Sequence, residues 1–190
     1  MKNFSIPTSI DASKKISFIL VVCFLALSFK SCSGSDDDNS TTPPSSQNPV
    51  VGAKAPDFAL NGVDGKQVKL SDFNGKVVVL FFFGNTCPSC KAAAPSIQSK
   101  LATPYASNSN YQIIGLDQWD GNVASVKSFQ STTGVTFPLL INASGTAAAY
   151  KTTYDRLVVI DKNGNIAFSG TKGAASDADT ARAKVDQLLK

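Results

Sequence analysis

Between positions 50 and 190 the apolar residues fall into short blocks whose period changes along the chain. Phe58-Ala59-Leu60 and Gln67-Val68-Lys69-Leu70, separated by Asn61-Gly62 and Asp64-Gly65, predict a short hairpin. Val77 to Phe83 is apolar at every position, with no alternation, and predicts a central strand covered on both faces. Pro88 suits the first turn of a helix, where its missing N–H is not needed. The helical pattern continues from Lys91 to Tyr105, with a kink expected at Pro95. Further on, Tyr111 to Leu116 predicts a strand, Val123 to Thr132 a helix, Phe137 to Ile141 a short apolar segment and Gly145 to Tyr150 a short helix. Leu157 to Ile160 and Asn165 to Phe168 predict two strands joined by the turn Asp161-Lys162-Asn163-Gly164. A closing helix is expected over Ala174 to Lys190, with Ser176 or Asp177 near its start and Val185, Leu188 and Leu189 on its inner face. Strand, helix, strand, helix, then hairpin and helix amount to an α/β sandwich.

The first fifty residues follow another pattern. Lys14-Lys15 precede an apolar run from Ile16 to Phe29. That run is shorter than the roughly 20 apolar residues a spanning helix needs, and it fits the core of a secretory signal. An uncleaved anchor is the alternative. Ser31-Cys32 at its end resembles the lipobox of bacterial lipoproteins, in which the cysteine becomes the acylated N-terminus. Phe29 and Lys30 are unusual at the two preceding places. The acidic run Asp36-Asp37-Asp38 resembles the surface-export signal of Bacteroidetes-type lipoproteins; its plainer reading is a solvated spacer. Thr41 to Pro49 is Ser, Thr, Pro, Asn and Gln, the composition of a tether. The expected organisation is therefore a signal peptide over 1–31, a lipidated Cys32 with its tether over 32–49, and one domain over 50–190. The domain would face a cell-envelope compartment, at the periplasm or the cell surface, where disulfides persist.

Charge and composition narrow the chemistry. The formal net charge is +4, but Lys2, Lys14, Lys15 and Lys30 stand against only Asp11 in the leader. The domain itself is close to neutral, which gives no electrostatic footprint for a nucleic-acid partner. The chain has no histidine and no glutamate. That removes imidazole bases, Ser-His-Asp and Cys-His catalysis and His-bearing metal sites. Thiols, aspartates, lysines and backbone groups remain, and no bound cofactor is expected beyond a redox-active disulfide.

Cys87-Pro88-Ser89-Cys90 ends the apolar strand and opens a helix. The unpaired N–H groups and dipole of a helix N-terminus favour negative charge. A Cys87 thiolate gains from both, so Cys87 is expected to attack a partner's disulfide while the less exposed Cys90 resolves the mixed disulfide. Lys91 would add positive charge nearby, or simply face solvent. A zinc site needs four ligands, and the domain offers only these two cysteines and no histidine. A purely structural disulfide closing so short a loop would cross-link little chain. Two thiols alone could also hold a soft ion such as Cu(I).

The segment Val77 to Pro95 resembles the active-site region of the TlpA/ResA-like thiol-disulfide oxidoreductases. Ala55-Pro56-Asp57-Phe58, Leu70 to Lys76, Ala94-Pro95, Phe137-Pro138-Leu139-Leu140 and Val159 to Gly164 are similar to other stretches of that family. The resemblance implies a thioredoxin-like fold, a central mixed sheet flanked by helices with an N-terminal β-hairpin extension. It also implies protein thiols or disulfides as substrates and a membrane thiol donor of DsbD/CcdA type. The chain departs from the pattern at Thr86, where the family carries tryptophan, at Ala93, where many members carry glutamate, and at Phe81, the place of a buried acid in thioredoxin. Asp117 or Asp120 would then serve the Cys90 proton, or stand as solvent-facing loop residues. The family's cis-proline position falls near Asp155, in Thr152 to Arg156, where there is no proline. Asp155 or Arg156 would present a charged, donor-rich surface to the substrate there. Peroxiredoxins also lack that proline, so a thiol peroxidase is one alternative, although their P-x-x-x-T/S-x-x-C signature is missing. A non-catalytic binding lipoprotein on the same scaffold is another.

Overall fold

A computed structural model of the chain describes residues 49–190. The expected signal peptide, Cys32 and nearly all of the tether lie outside the described residues. Strands β1 (Ala59–Asn61) and β2 (Gln67–Lys69) form the predicted antiparallel hairpin. A five-stranded sheet is built from β3 (Val77–Phe83), β4 (Tyr111–Asp117), β5 (Leu139–Leu140), β6 (Arg156–Ile160) and β7 (Ile166–Ser169), in the order β5-β4-β3-β6-β7. β3, β4 and β5 are parallel, and β6 and β7 run antiparallel to their neighbours. The helices are α1 (Pro88–Ile97), α2 (Val123–Thr133), α3 (Ser144–Ala149) and α4 (Ala174–Leu188). This is the thioredoxin-like α/β fold with an N-terminal hairpin. The hairpin covers the short outer strand through Ile141 N–H to Asn61 O (2.9 Å) and Val63 N–H to Leu139 O (3.1 Å).

The unbroken apolar run of β3 has a direct cause. Its residues point alternately to two separate cores, so neither face can be polar. Val77, Val79, Phe81 and Phe83 pack with Cys90, Ala94 and Ile97 of α1, Phe129 of α2, and Ala178 and Val185 of α4. Val78, Leu80 and Phe82 pack with Phe58, Ala147 of α3, Tyr150 and Val158. The inner face of α4 is made mainly by Ala174, Ala178, Ala181 and Val185, whereas Leu188 and Leu189 are only partly buried. Small residues here let α4 lie close to the sheet.

The helix expected to run to Tyr105 stops being regular at Ile97. Pro95 brings no N–H to the turn before it, and the chain then widens over Gln98–Ala102, where Thr103 N–H reaches back to Gln98 O. A tighter turn over Thr103–Tyr105 follows. Two tyrosines pin this irregular end. The buried Tyr111 hydroxyl donates to Leu101 O, and Tyr105 donates to the Asp186 carboxylate on α4. Burial, together with the Asp186 carboxylate, pushes the Tyr105 hydroxyl up to about 12. Burial raises Tyr111 as well.

An alkaline limb in stability follows. A tyrosine raised in the folded state stabilises it fully below its unfolded value, about 10, and loses that contribution as pH climbs through the folded value. Unfolding midpoints are therefore expected to fall between about pH 10 and the folded Tyr105 value of about 12. Tyr105→Phe should flatten that limb in thermal melts; an identical slope in both proteins would contradict the assignment.

Candidate active site

β3 delivers the chain to the site. After Phe83, residues Gly84 to Thr86 turn, and Cys87 N–H donates to Gly84 O at 3.0 Å. Cys87 then takes an extended conformation (φ −62°, ψ 119°) as the residue immediately before α1, with Pro88 at the first helical position. Its Sγ accepts the Cys90 N–H at 3.2 Å and lies 3.2 Å from Ser89 Oγ. Cys87 and Cys90 form a disulfide, with their Cα atoms 5.3 Å apart. The sulfur thus occupies the place of a capping oxygen, where an N–H dipole favours negative charge on it. Lys91 follows, partly exposed, with its N–H on Cys87 O at 3.1 Å.

The expected difference in exposure between the two cysteines is absent. Cys87 is 1% exposed and Cys90 0%. In the disulfide both sulfurs face the core that holds Phe83 and Ala93, while Thr86, Pro88 and Ser89 take the solvent side.

Asp117 is not a solvent-facing loop residue. It is the last residue of β4, paired in register with Phe83, and fully buried. Its carboxylate accepts N–H bonds from four groups: Asn85 N (3.0 Å), Asn85 Nδ2 (2.9 Å), Trp119 N (3.3 Å) and Gly121 N (2.8 Å). One side chain therefore ties the turn before Cys87 to the turn after β4. Gly121 is required by this contact, since a Cβ there would meet Ser125 Oγ at 2.6 Å and collide with the Asn85 amide. Asp120, at φ 52°, accepts Ser144 N–H at 3.0 Å and so fastens the same turn to α3.

On the other flank, Arg156 opens β6 and pairs in register with Phe82. Asp155 just before it has φ 56°, and the described residues contain no cis peptide bond. The half-buried Asp155 carboxylate has a partner within the fold. It accepts Ala174 N–H at 3.2 Å, because Gly173 precedes α4 without a side chain to cap it. The Arg156 guanidinium turns back onto Asp155 O at 2.9 Å. The loop is thereby fastened to α4 by a hydrogen bond rather than by proline geometry.

Three residues near the disulfide carried no obvious signal in sequence: Asn85, Trp119 and Tyr154. Trp119 is the chain's only tryptophan and stands just beyond a predicted strand, which is the one hint available. Its ring meets that of Tyr154 edge-on at 5.0 Å. Asp117→Ala, which strands several buried N–H groups, is expected to cost about 3 kcal/mol in denaturant unfolding. An unchanged midpoint would contradict the clamp.

The comparisons with known proteins agree with this geometry. Residues 51–169 match the AhpC/TSA family. The chain is 31% identical over 116 residues to the thioredoxin-like protein YneN of Bacillus subtilis, covering 60% of this chain and 68% of that one. It is also 31% identical over 124 residues to the thiol-disulfide oxidoreductase ResA of Geobacillus thermodenitrificans, covering 62% and 67%. Among solved structures, a candidate protein disulfide isomerase from Bacteroides thetaiotaomicron superposes with a TM-score of 0.67 at 30% identity, covering 74% of this chain and 91% of that one. A disulfide-forming cysteine pair at the start of α1, on a thioredoxin-like fold shared with these relatives, places the chain in the AhpC/TSA family as a ResA/TlpA-like thiol-disulfide oxidoreductase.

Proposed function

We propose that the Cys87–Cys90 pair exchanges with disulfides of other proteins, acting as a reductase in the cell envelope. The observation that carries this reading is the position of Cys87 Sγ, in the capping place of α1 with the Cys90 N–H directed at it. In the dithiol form the Cys87 thiolate attacks one sulfur of a substrate disulfide. A Cys87–substrate disulfide forms, and the first substrate thiolate leaves and takes a proton. Cys90, deprotonated, then attacks Cys87 Sγ. The Cys87–Cys90 disulfide forms, the second substrate thiol departs, and two electrons have passed to the substrate. Pro88 and Ser89 form the solvent side of this segment, and Lys91 adds a positive charge one turn in.

Regeneration requires a dithiol donor, for which a membrane thiol protein of DsbD/CcdA type is the proposed source. The leader supports lipid anchoring at Cys32, with residues 32–49 as tether and 50–190 as the catalytic domain. Both cysteines are buried in the disulfide form, beneath exposed Thr86, Pro88 and Ser89, so the donor is expected to approach Cys87 from that side.

In an insulin-reduction assay, Cys87→Ser is expected to lose activity by at least about a hundredfold. Cys90→Ser should accumulate a mixed disulfide with substrate, visible on non-reducing gels. Full activity in Cys87→Ser, with no trapped adduct in Cys90→Ser, would overturn the reading. Hydrogen peroxide consumption coupled to a thiol donor separates it from the thiol-peroxidase alternative. Cys32→Ser is expected to move the protein from the membrane to the soluble fraction; unchanged partition would remove the lipid anchor.

A further inference from the structure

Trp119 and Tyr154 are 42% and 40% exposed, and among the described residues they are the only large aromatic side chains so exposed. They come from opposite sides of β3. Trp119 follows β4, whose last residue pairs with Phe83, and Tyr154 precedes β6, whose first residue pairs with Phe82. Their rings meet at 5.0 Å and 75°, so the pair bridges the end of the strand that leads into Cys87. The indole lies on Gly84, where any Cβ would fall 2.6 Å from Cε2. Gly84 O in turn holds the Cys87 N–H. The aromatic surface is therefore seated on the backbone three residues before the disulfide.

The pair is held rather than loose. Trp119 N–H is fixed by Asp117, Asp120 fastens the same turn to Ser144, and Gln118 Nε2 reaches Thr153 Oγ1 at 3.5 Å. The charged groups around it are occupied internally: Asp117 by its N–H donors, Asp120 by Ser144, Asp155 by Ala174, and Arg156 by Asp155 O. Facing outward beside the disulfide are this ordered aromatic pair and the short exposed side chains of Thr86, Pro88 and Ser89; the rings supply the large apolar area and have little entropy to lose on contact.

We infer that the Trp119–Tyr154 pair is the docking surface for the polypeptide flanking a substrate's disulfide, and that it selects segments with an aromatic or large aliphatic residue beside the cysteine. This rests on the reading of Cys87–Cys90 as an exchanger with protein disulfides. Two rings at this spacing offer more apolar surface than a small disulfide such as hydroxyethyl disulfide can cover.

Because Trp119 is the only tryptophan, selectively excited tryptophan fluorescence of the full chain reports on this site alone. The oxidised protein is titrated with two cysteine-free peptides of equal length, one carrying Phe and Leu beside a serine in the cysteine position, the other Gly and Ser. A saturable spectral shift is expected with the first only. Disulfide-linked dimers of the corresponding cysteine peptides then serve as substrates. The apolar dimer is expected to show about tenfold higher kcat/KM than the Gly/Ser dimer. Trp119→Ala and Tyr154→Ala should each bring that ratio most of the way to parity, and lower turnover of hydroxyethyl disulfide far less. Equal kcat/KM for both dimers in the unaltered protein would overturn the inference. So would a preference that survives both substitutions, equal losses on all substrates, or a shift that tracks self-association of the protein instead of peptide. If no disulfide is reduced at all, the exchange reading fails, while the fluorescence titration, which needs no turnover, still decides the docking.

Discussion

The chemistry depends on one contact: the Cys90 N–H directed at Cys87 Sγ across the first turn of α1. Everything upstream serves to put a sulfur where a helix leaves its N–H groups unpaired. β3 is buried on both faces, so its end is fixed by two cores at once. The turn from Gly84 to Thr86 is short, and Pro88 begins the helix at the only place where its missing N–H costs nothing. Two effects then compete at Cys87. Burial opposes a thiolate, and the amide and helix dipole favour it. The amide sits at hydrogen-bond distance, so the favourable effect is expected to prevail.

With neither histidine nor glutamate available, two aspartates flank the site, and both accept backbone N–H bonds. Asp117 gathers the N–H groups of the turns on one side of β3, and Asp155 supplies the cap that Gly173 cannot give α4 on the other. Both satisfy backbone donors that would otherwise be buried or unpaired. The same hydrogen bonds set the loops that carry Trp119 and Tyr154, so the scaffolding of the disulfide and the shape of its surroundings come from the same side chains.

Much of this was legible in the sequence because it is local. The apolar run of β3, the glycine-bearing hairpin turns, the proline of the Cys-x-x-Cys segment and the Asp161 to Gly164 turn each declare themselves within a few residues. What was not legible depends on register. Pro95 announces a kink but not that the helix stays irregular from Gln98 to Tyr105; the Tyr111 hydroxyl, ten positions beyond Leu101, pins that stretch once β4 is in place. Asp117 reads as a loop residue until its pairing with Phe83 sets it beneath Asn85. Asp155 reads as a surface charge until the start of α4 arrives beside it. Trp119 and Tyr154 are 35 positions apart and meet only because β4 and β6 flank the same strand.

The most direct test of the central claim is the titration of Cys87 in the reduced protein, followed by the pH dependence of its alkylation rate in a Cys90→Ser background. The helix-end amides are expected to hold it below the ordinary cysteine value of about 8.5, so that a thiolate is present near neutral pH. A Cys87 that titrates at or above that value would show that burial outweighs the amides, and would contradict the account.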